Sequence, residues 1–160
     1  MRKSVISSGS SAARPSPTGE WKDIEAIAQV EITSEDAHFP IEQALAKVAT
    51  TGWRAAATGP QIIRLLFDEP QTIRRIHLHF LERAAERSQE FAVYAGWEGE
   101  MREVLRQQWS FSPNGSTEEI EDYTVELDGI RTLELRIDPD RSHDPKLSKG
   151  YASLESLRVA

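Results

Sequence analysis

From residue 29 onward, apolar and polar positions alternate with a period of two over most of the chain. Ile76, Leu78 and Phe80 alternate with Arg75, His77 and His79. Successive side chains on a strand point to opposite faces, so this pattern predicts a half-buried antiparallel strand. The same reading predicts strands near 29–33, 61–67, 72–81, 89–96, 101–112, 119–128, 131–138 and 151–159. Their boundaries fall on turn chemistry. Asp68-Glu69-Pro70 is expected to end a strand, and Gly99, inside Trp97-Glu98-Gly99-Glu100, suits a hairpin position with positive φ. Pro113-Asn114-Gly115-Ser116 is a strong turn signal, and Asp128-Gly129 reads as a second hairpin. Helical spacing is short-lived: Trp21, Ile24, Ile27 and Ala28 fit a lead-in helix, and Ile41, Ala44, Leu45 and Val48 fit one or two turns started by Pro40. Residues 82–88 form a charged connection, residues around Trp53 a loop, and 138–150 a long polar loop of the kind that often carries function.

Eight or so short strands with regular turns predict an all-β protein, a single two-sheet sandwich or jelly roll of antiparallel strands with short helical turns. At 160 residues there is room for one domain with a sizeable core. That domain is expected at 21–160. Residues 1–20, rich in serine and interrupted by Gly9, Pro15 and Pro17, have too little apolar surface to offset the cost of ordering and are expected to be a disordered tail.

Charge narrows the partners. Arg2, Lys3 and Arg14 against Glu20 give residues 1–20 a balance of +2 within a total of −7, which leaves −9 on residues 21–160. A body so acidic repels phosphate backbones, so nucleic acid is not an expected partner. With no cysteine, disulfides, thiolate metal sites and cysteine nucleophiles are excluded. No apolar run reaches the roughly 18 residues of a membrane span. The basic start, Met1-Arg2-Lys3, lacks the apolar segment of a signal peptide, and together with the absent cysteines this leads to an expected cytoplasmic location.

Catalytic signatures are sparse. The chain has no glycine-rich phosphate loop, no His-Glu-x-x-His and no Gly-x-Ser-x-Gly. His77 and His79 share a strand face and could chelate a metal together. With no third ligand near in sequence, a solvated polar face is the simpler reading, and no metal site is expected. Glu118, Glu119, Glu121 and Asp122 read as a solvated strand edge. In Arg106-Gln107-Gln108-Trp109-Ser110-Phe111, Trp109 and Phe111 share a face. They are either core or, facing outward, an interaction patch for a protein or glycan partner. Trp53 is expected in the core, with Arg54 on the rim of a pocket.

The order of these segments resembles the discoidin-like domains, the galactose-binding-like jelly rolls that include the C-domains of coagulation factors. The likeness rests on an aliphatic segment and a small-residue loop ending in Gly52-Trp53, then a strand, an acidic-proline turn and a strand. It continues through Gln89-Glu90-Phe91-Ala92-Val93-Tyr94 and closes on Ala152-Ser153-Leu154-Glu155-Ser156-Leu157-Arg158-Val159. It covers roughly residues 30–160. The resemblance implies a non-catalytic binding module, with carbohydrate as the first ligand class, read by loops at one end of the sandwich. Those loops correspond to 34–39, 83–88 and 138–151, and they offer Glu35, His38, Arg83, Arg87, His143 and Tyr151 as ligand-binding residues. Carboxylate, guanidinium and imidazole groups would bond hydroxyls while an aromatic face serves as platform. The family often holds a structural calcium before the tryptophan. Here that loop, Ala46-Lys47-Val48-Ala49-Thr50-Thr51, has no acidic residue and only Glu155 matches the late glutamate, so no cofactor is expected. The alternative is a cytoplasmic protein-interaction module of the same fold. A hydrolase or isomerase on a β-sandwich is a third and weaker reading.

Overall fold

The computed structural model describes residues 21–47, 51–142 and 150–160. The tail expected at 1–20 and the candidate His143 lie outside them. Along the chain run α1 (Ile24–Ile27), β1 (Ala28–Ile32), α2 (Glu42–Leu45), β2 (Trp53–Thr58), β3 (Gln61–Leu81), β4 (Arg87–Trp97), β5 (Glu100–Phe111), β6 (Glu118–Asp138), β7 (Tyr151–Leu154) and β8 (Ser156–Val159). All named strand pairs are antiparallel.

Two long strands, β3 and β6, build both layers of a sandwich. Gln61 to Leu66 pair with Ile137 to Thr132, in a layer ordered β1-β3-β6-β4-β5. Past a corner, Ile73 to Leu81 pair with Leu127 to Glu118, and β8 joins the other side of β3 through Ile76 to His79. The second halves of the long strands then lie over β4: the Phe80 ring packs 5.1 Å from Phe91, and Tyr123 meets Phe91 edge-on at 6.5 Å. The short pair β2-β7 adds a small separate sheet.

The corner corrects two sequence expectations. Asp68-Glu69-Pro70 does not end a strand, because it sits exposed within β3 where the register against β6 is broken between Leu66 and Gln71. No ladder partner is assigned to Pro70, so its missing N–H costs nothing there. Asp128-Gly129 is not a hairpin either. Gly129 alone takes φ 66 and bends β6 around the same corner, so the strands expected at 119–128 and 131–138 are one. The strand count stays at eight for a different reason. The stretch after Gly52, read as a loop, is β2, paired with β7 through Trp53 to Leu154, and the final strand breaks at Glu155 into β7 and β8. Gly99 has the expected positive φ, 73, between Trp97 and Glu100 of the β4–β5 hairpin. The turn at 113–116 closes with Gly115 N–H donating to Ser112 O at 2.9 Å.

Between the layers sit Trp53, Phe80, Phe91, Phe111, Ile63, Leu65, Ile73, Ile76, Leu78, Ile130 and Ile137, each under 2% exposed. Each such side chain contributes about 1.5–3 kcal/mol on burial, so this cluster holds the layers together. The hydrophobic alternation is legible in β4, where Phe91, Val93 and Ala95 are buried in turn. Continued backward, the same inward positions are held by Arg87 and Gln89, both also buried. The core is therefore polar at one end.

Candidate functional site

The described parts of the loops predicted to bind a ligand lie at that polar end, beside the end of β1, the start of β4, the end of β5 and both ends of the β3–β6 pairing. Two buried side chains pin them. Gln61, 5% exposed at the start of β3, accepts from Thr33 Oγ1 at 2.6 Å and Ser34 Oγ at 2.7 Å. Its amide nitrogen donates to Ala57 O at 3.4 Å. Ser34 Oγ in turn accepts from Ala56 N–H, and Ser34 O accepts from the Trp53 indole at 3.1 Å. Loop 33–41 is thereby fixed to β2.

Arg87 is the second pin. Its side chain is 1% exposed, and Nε donates to Glu82 Oε1 at 2.9 Å. Nη1 donates to Gln89 Oε1 at 3.0 Å and to Pro139 O at 2.8 Å, while the guanidinium lies over Phe111, 4.8 Å from the ring centre. Glu82 Oε2 accepts the N–H groups of Ala84 and Ala85, which shapes the short 82–87 connection. Burial alone would raise the Glu82 pKa, but the Arg87 and amide donors outweigh it and hold the carboxyl below the ordinary range. Gly150 packs on this group, where an added β-carbon would come within 2.9 Å of Arg87 Cδ. Arg141 N–H donates to Ser88 O at 2.8 Å, which ties the described start of the following loop, 139–142, to β4.

Against this frame the sequence-predicted site residues separate. Tyr151, 45% exposed, stands at the start of β7, one residue from Gly150 and paired with Thr58. It marks the place where the loops meet. Arg83 is exposed on the 82–87 connection. His38 is exposed on loop 33–41, its N–H donating to Asp36 Oδ1 at 2.8 Å. That amide contact, offset in part by desolvation, lowers the Asp36 pKa. Glu35 is exposed yet structurally engaged, since Oε1 accepts the Ile41 N–H at 2.9 Å where α2 begins. Arg87 is a correction: it is buried beneath the loops and positions them instead of facing outward. Phe111 is a second correction, because at 1% exposed under Arg87 it is core and forms no patch. Trp109 is half-buried against the core with its indole donating to Ser116 Oγ at 3.1 Å. Arg54 is exposed and lies over the Phe39 ring at 4.8 Å.

The residues sequence reading missed are Gln61, Glu82, Gln89 and Glu119, all polar groups on or next to inward strand positions. The signal was present for two of them. Phe91, Gln89 and Arg87 follow one alternation, so the same period that buries Phe91 buries Arg87. His77 and His79 do share a face, but they take separate carboxylates: His77 Nδ1 lies 3.5 Å from Asp122 and His79 Nε2 2.7 Å from Glu118. Burial lowers the His77 pKa in spite of Asp122. Among the described residues no group of three His, Asp or Glu side chains could hold a metal. Of the loop resembling the family's calcium loop, residues 48–50 lie outside the described set. The described remainder, Ala46, Lys47 and Thr51 with Glu155 nearby, does not fit a hard cation that takes six to eight oxygens.

An open cleft of about 470 Å³ lies along β1 and β3 between Glu31, Ile32, Thr33, Ile62 and Arg64. Arg64 and Glu31 there neutralise each other at 2.9 Å, and none of the lining residues is aromatic. The loop end has Tyr151.

The fold that this geometry defines is the galactose-binding-like β-sandwich, as the order of sequence segments implied. No family model matches the sequence, and no curated protein matches it. Solved structures do. The third family 32 carbohydrate-binding module of a family 31 glycoside hydrolase from Clostridium perfringens superposes with a TM-score of 0.64 at 15% identity, over 92% of this chain and 98% of that one. The family 32 module of C. perfringens NanJ, solved with galactose, gives 0.61 at 16% identity over 86% and 96%. The family 32 module of AlyQ, solved with 4,5-unsaturated mannuronic acid, gives 0.58 at 16% identity over 84% and 95%. Each likeness spans nearly the whole of the solved module. Among the described residues, no helix is long and apolar enough to cross a membrane.

Proposed function

We propose that the protein is a non-catalytic carbohydrate-binding module that takes a glycan at the loop end of its sandwich. The observation that carries the reading is an exposed aromatic ring, Tyr151, paired with Thr58 and next to Gly150, which packs on the buried Arg87 that is tied to Glu82 and Pro139. A sugar presents one face of C–H groups and a rim of hydroxyls. An exposed tyrosine ring offers the matching apolar surface, and Arg83 and His38 on neighbouring loops offer donors for the rim. Loops fixed before binding need little further ordering, which favours a small ligand that cannot itself supply much binding energy.

The solved modules of this fold include ones holding galactose and an unsaturated mannuronic acid, which supports the ligand class. A non-catalytic role is supported by the carboxylates at this end. Glu35 is taken by the Ile41 amide, and Glu82 by Arg87 and two amides, so neither is poised for proton transfer. The outward patch of Trp109 and Phe111, considered for a protein or glycan partner, does not form, because Phe111 is core.

The test is binding of the purified protein to a broad glycan panel, with calcium and with chelator, beside Tyr151→Ala. The reading expects a calcium-independent sugar signal that the variant loses. A panel without any signal would overturn it.

A further inference from the structure

The polar end of the core contains a group that ligand binding does not use. Along β6, Glu119, Glu121 and Tyr123 occupy successive inward positions, facing β4 and β5 across the sandwich. Glu119 is 0% exposed. Its Oε1 accepts from Gln89 Nε2 at 3.2 Å, a bond that crosses from one layer to the other. Its Oε2 finds no donor among the described residues, and the neighbour it meets is the Glu121 carboxyl. Two carboxylate oxygens cannot hydrogen-bond each other. They can do so only with a proton between them.

Among the described residues, Gln89 and the Arg87 charge favour the ionised form, but burial and the Glu121 carboxyl outweigh them. On β4 the facing groups are Gln89 and Arg87; Arg87 gives Nε and Nη1 to Glu82, Gln89 and Pro139 O, its Nη2 has no partner among the described residues, and it meets Glu119 through the Gln89 amide and through its charge. On β3 the partner of Glu119 is Phe80. On β5 the residues registered with Arg87, Gln89 and Phe91 are Phe111, Trp109 and Gln107, none of them titratable. On β6 itself Tyr123 adds a buried phenol whose oxygen is unpartnered among the described residues and whose ionisation is pushed upward by burial and the two carboxyls.

We infer that Glu119 and Glu121 share one proton inside the sandwich, and that releasing it to solvent loosens the layers at the end where Arg87 holds the ligand loops. The released state would place two like charges side by side under the Gln89–Arg87 relay that ties loops 82–87 and 139–150 together. The device is independent of what those loops bind, so it stands or falls separately from the glycan reading. Burial first, then the Glu121 carboxyl, pushes the Glu119 pKa up to about 8. In the unfolded chain the same group titrates in the ordinary carboxylate range, near 4.5. Between those limits the folded protein holds a proton that the unfolded chain lacks. Stability is therefore fully present at the acidic end and falls as pH rises through that window.

The test is chemical unfolding of the full chain from pH 5 to pH 9 for wild type, Glu119→Gln and Glu121→Gln, with protection of the Ala84, Ala85 and Arg141 amides followed by hydrogen exchange. For wild type the unfolding equilibrium constant should rise with pH by up to about tenfold per unit, the slope of one linked proton. In Glu119→Gln, which keeps the Gln89 bond without a titrating group, that rise should vanish. In Glu121→Gln, which removes the like charge at a more accessible position, it should shift to lower pH, which keeps the inference testable if Glu119→Gln fails to fold. Amide protection on the two loops should fall in step with the wild-type titration. A wild-type profile as flat as that of Glu119→Gln, or a Glu121→Gln profile unmoved from wild type, would overturn the shared proton. Loop protection that ignores the titration would overturn the coupling to the loops.

Discussion

Two regions of this molecule are built from the same arginine–carboxylate chemistry and use it differently. At the loop end, one buried arginine, Arg87, joins Glu82, Gln89, Pro139 O and the face of Phe111. On the outer face of the five-stranded layer, the pairs spread sideways across the strands. Glu31 meets Arg64, Arg64 meets Glu134, Glu134 meets Arg136, and Arg136 lies over the Tyr94 ring at 3.8 Å. Beyond Tyr94, Arg106 takes Glu103 and Glu90. Most of these groups are a third or more exposed, with Glu90 at 21% and Glu134 at 3% the exceptions. The lesson lies in redundancy and solvent. Water replaces any one partner on the outer face, whereas nothing replaces Arg87 under the loops.

The largest effect is expected from removing that single pin. Arg87→Ala removes a buried cation and leaves half-buried Glu82 and the Pro139 carbonyl without their donor, a kind of loss that costs about 3–5 kcal/mol. Denaturant unfolding should show it as a lowered midpoint, and loops 82–87 and 139–150 should lose amide protection. Arg87→Lys should recover part of the stability only, because an ammonium has neither the planar fork nor the flat face that lies on Phe111. If Arg87→Ala unfolds at the wild-type midpoint, the contrast between the two regions fails.

Glu134→Gln comes next. Burial would raise its pKa, but Arg64 and Arg136 hold it below the ordinary carboxylate range. Its stabilising contribution is therefore complete above about pH 4.5 and disappears as pH falls through the depressed value. The substitution should cost about 1–3 kcal/mol at neutral pH, as for loss of charged hydrogen bonds, and should flatten the acid limb of the stability profile. An acid limb identical to that of wild type would remove Glu134 from the account.

At the small end, Arg106→Ala should leave the unfolding midpoint where it is. Its pKa is raised, chiefly by the Glu103 hydrogen bond, but the group is open to solvent and screened by salt. A clear loss of stability there would show that the outer network acts as a unit.

The strand pattern carried most of the fold because its driving force is local and periodic. Ile76, Leu78 and Phe80 announce their face, and Gly99 its hairpin. What the pattern did not carry was the corner. Pro70 and Gly129 are the residues that end strands elsewhere, and their places in adjacent register breaks, on either side of the Gln71–Ile130 pair, let β3 and β6 bend together without ending. Of the site, only positions were legible: the described parts of 33–41, 82–87 and 139–142 lie at one end of the sandwich and Tyr151 is exposed beside Gly150, while a ligand role for them is a proposal. The role of Arg87 was not. Arginine in a loop-flanking position reads as surface, and only the count of inward positions back from Phe91 places it in the core. Glu119 was hidden for the same reason, in a run of acids that reads as a solvated edge although alternate members face inward.

The central claim is that the loop end binds a glycan through Tyr151, and it is tested most directly by measuring glycan binding of wild type and Tyr151→Ala side by side with their unfolding curves. The account predicts that the variant loses the sugar signal while its unfolding curve overlays that of wild type, because the ring is exposed and supports no core contact. A variant that binds as well as wild type, or a wild type that binds no glycan, would contradict it.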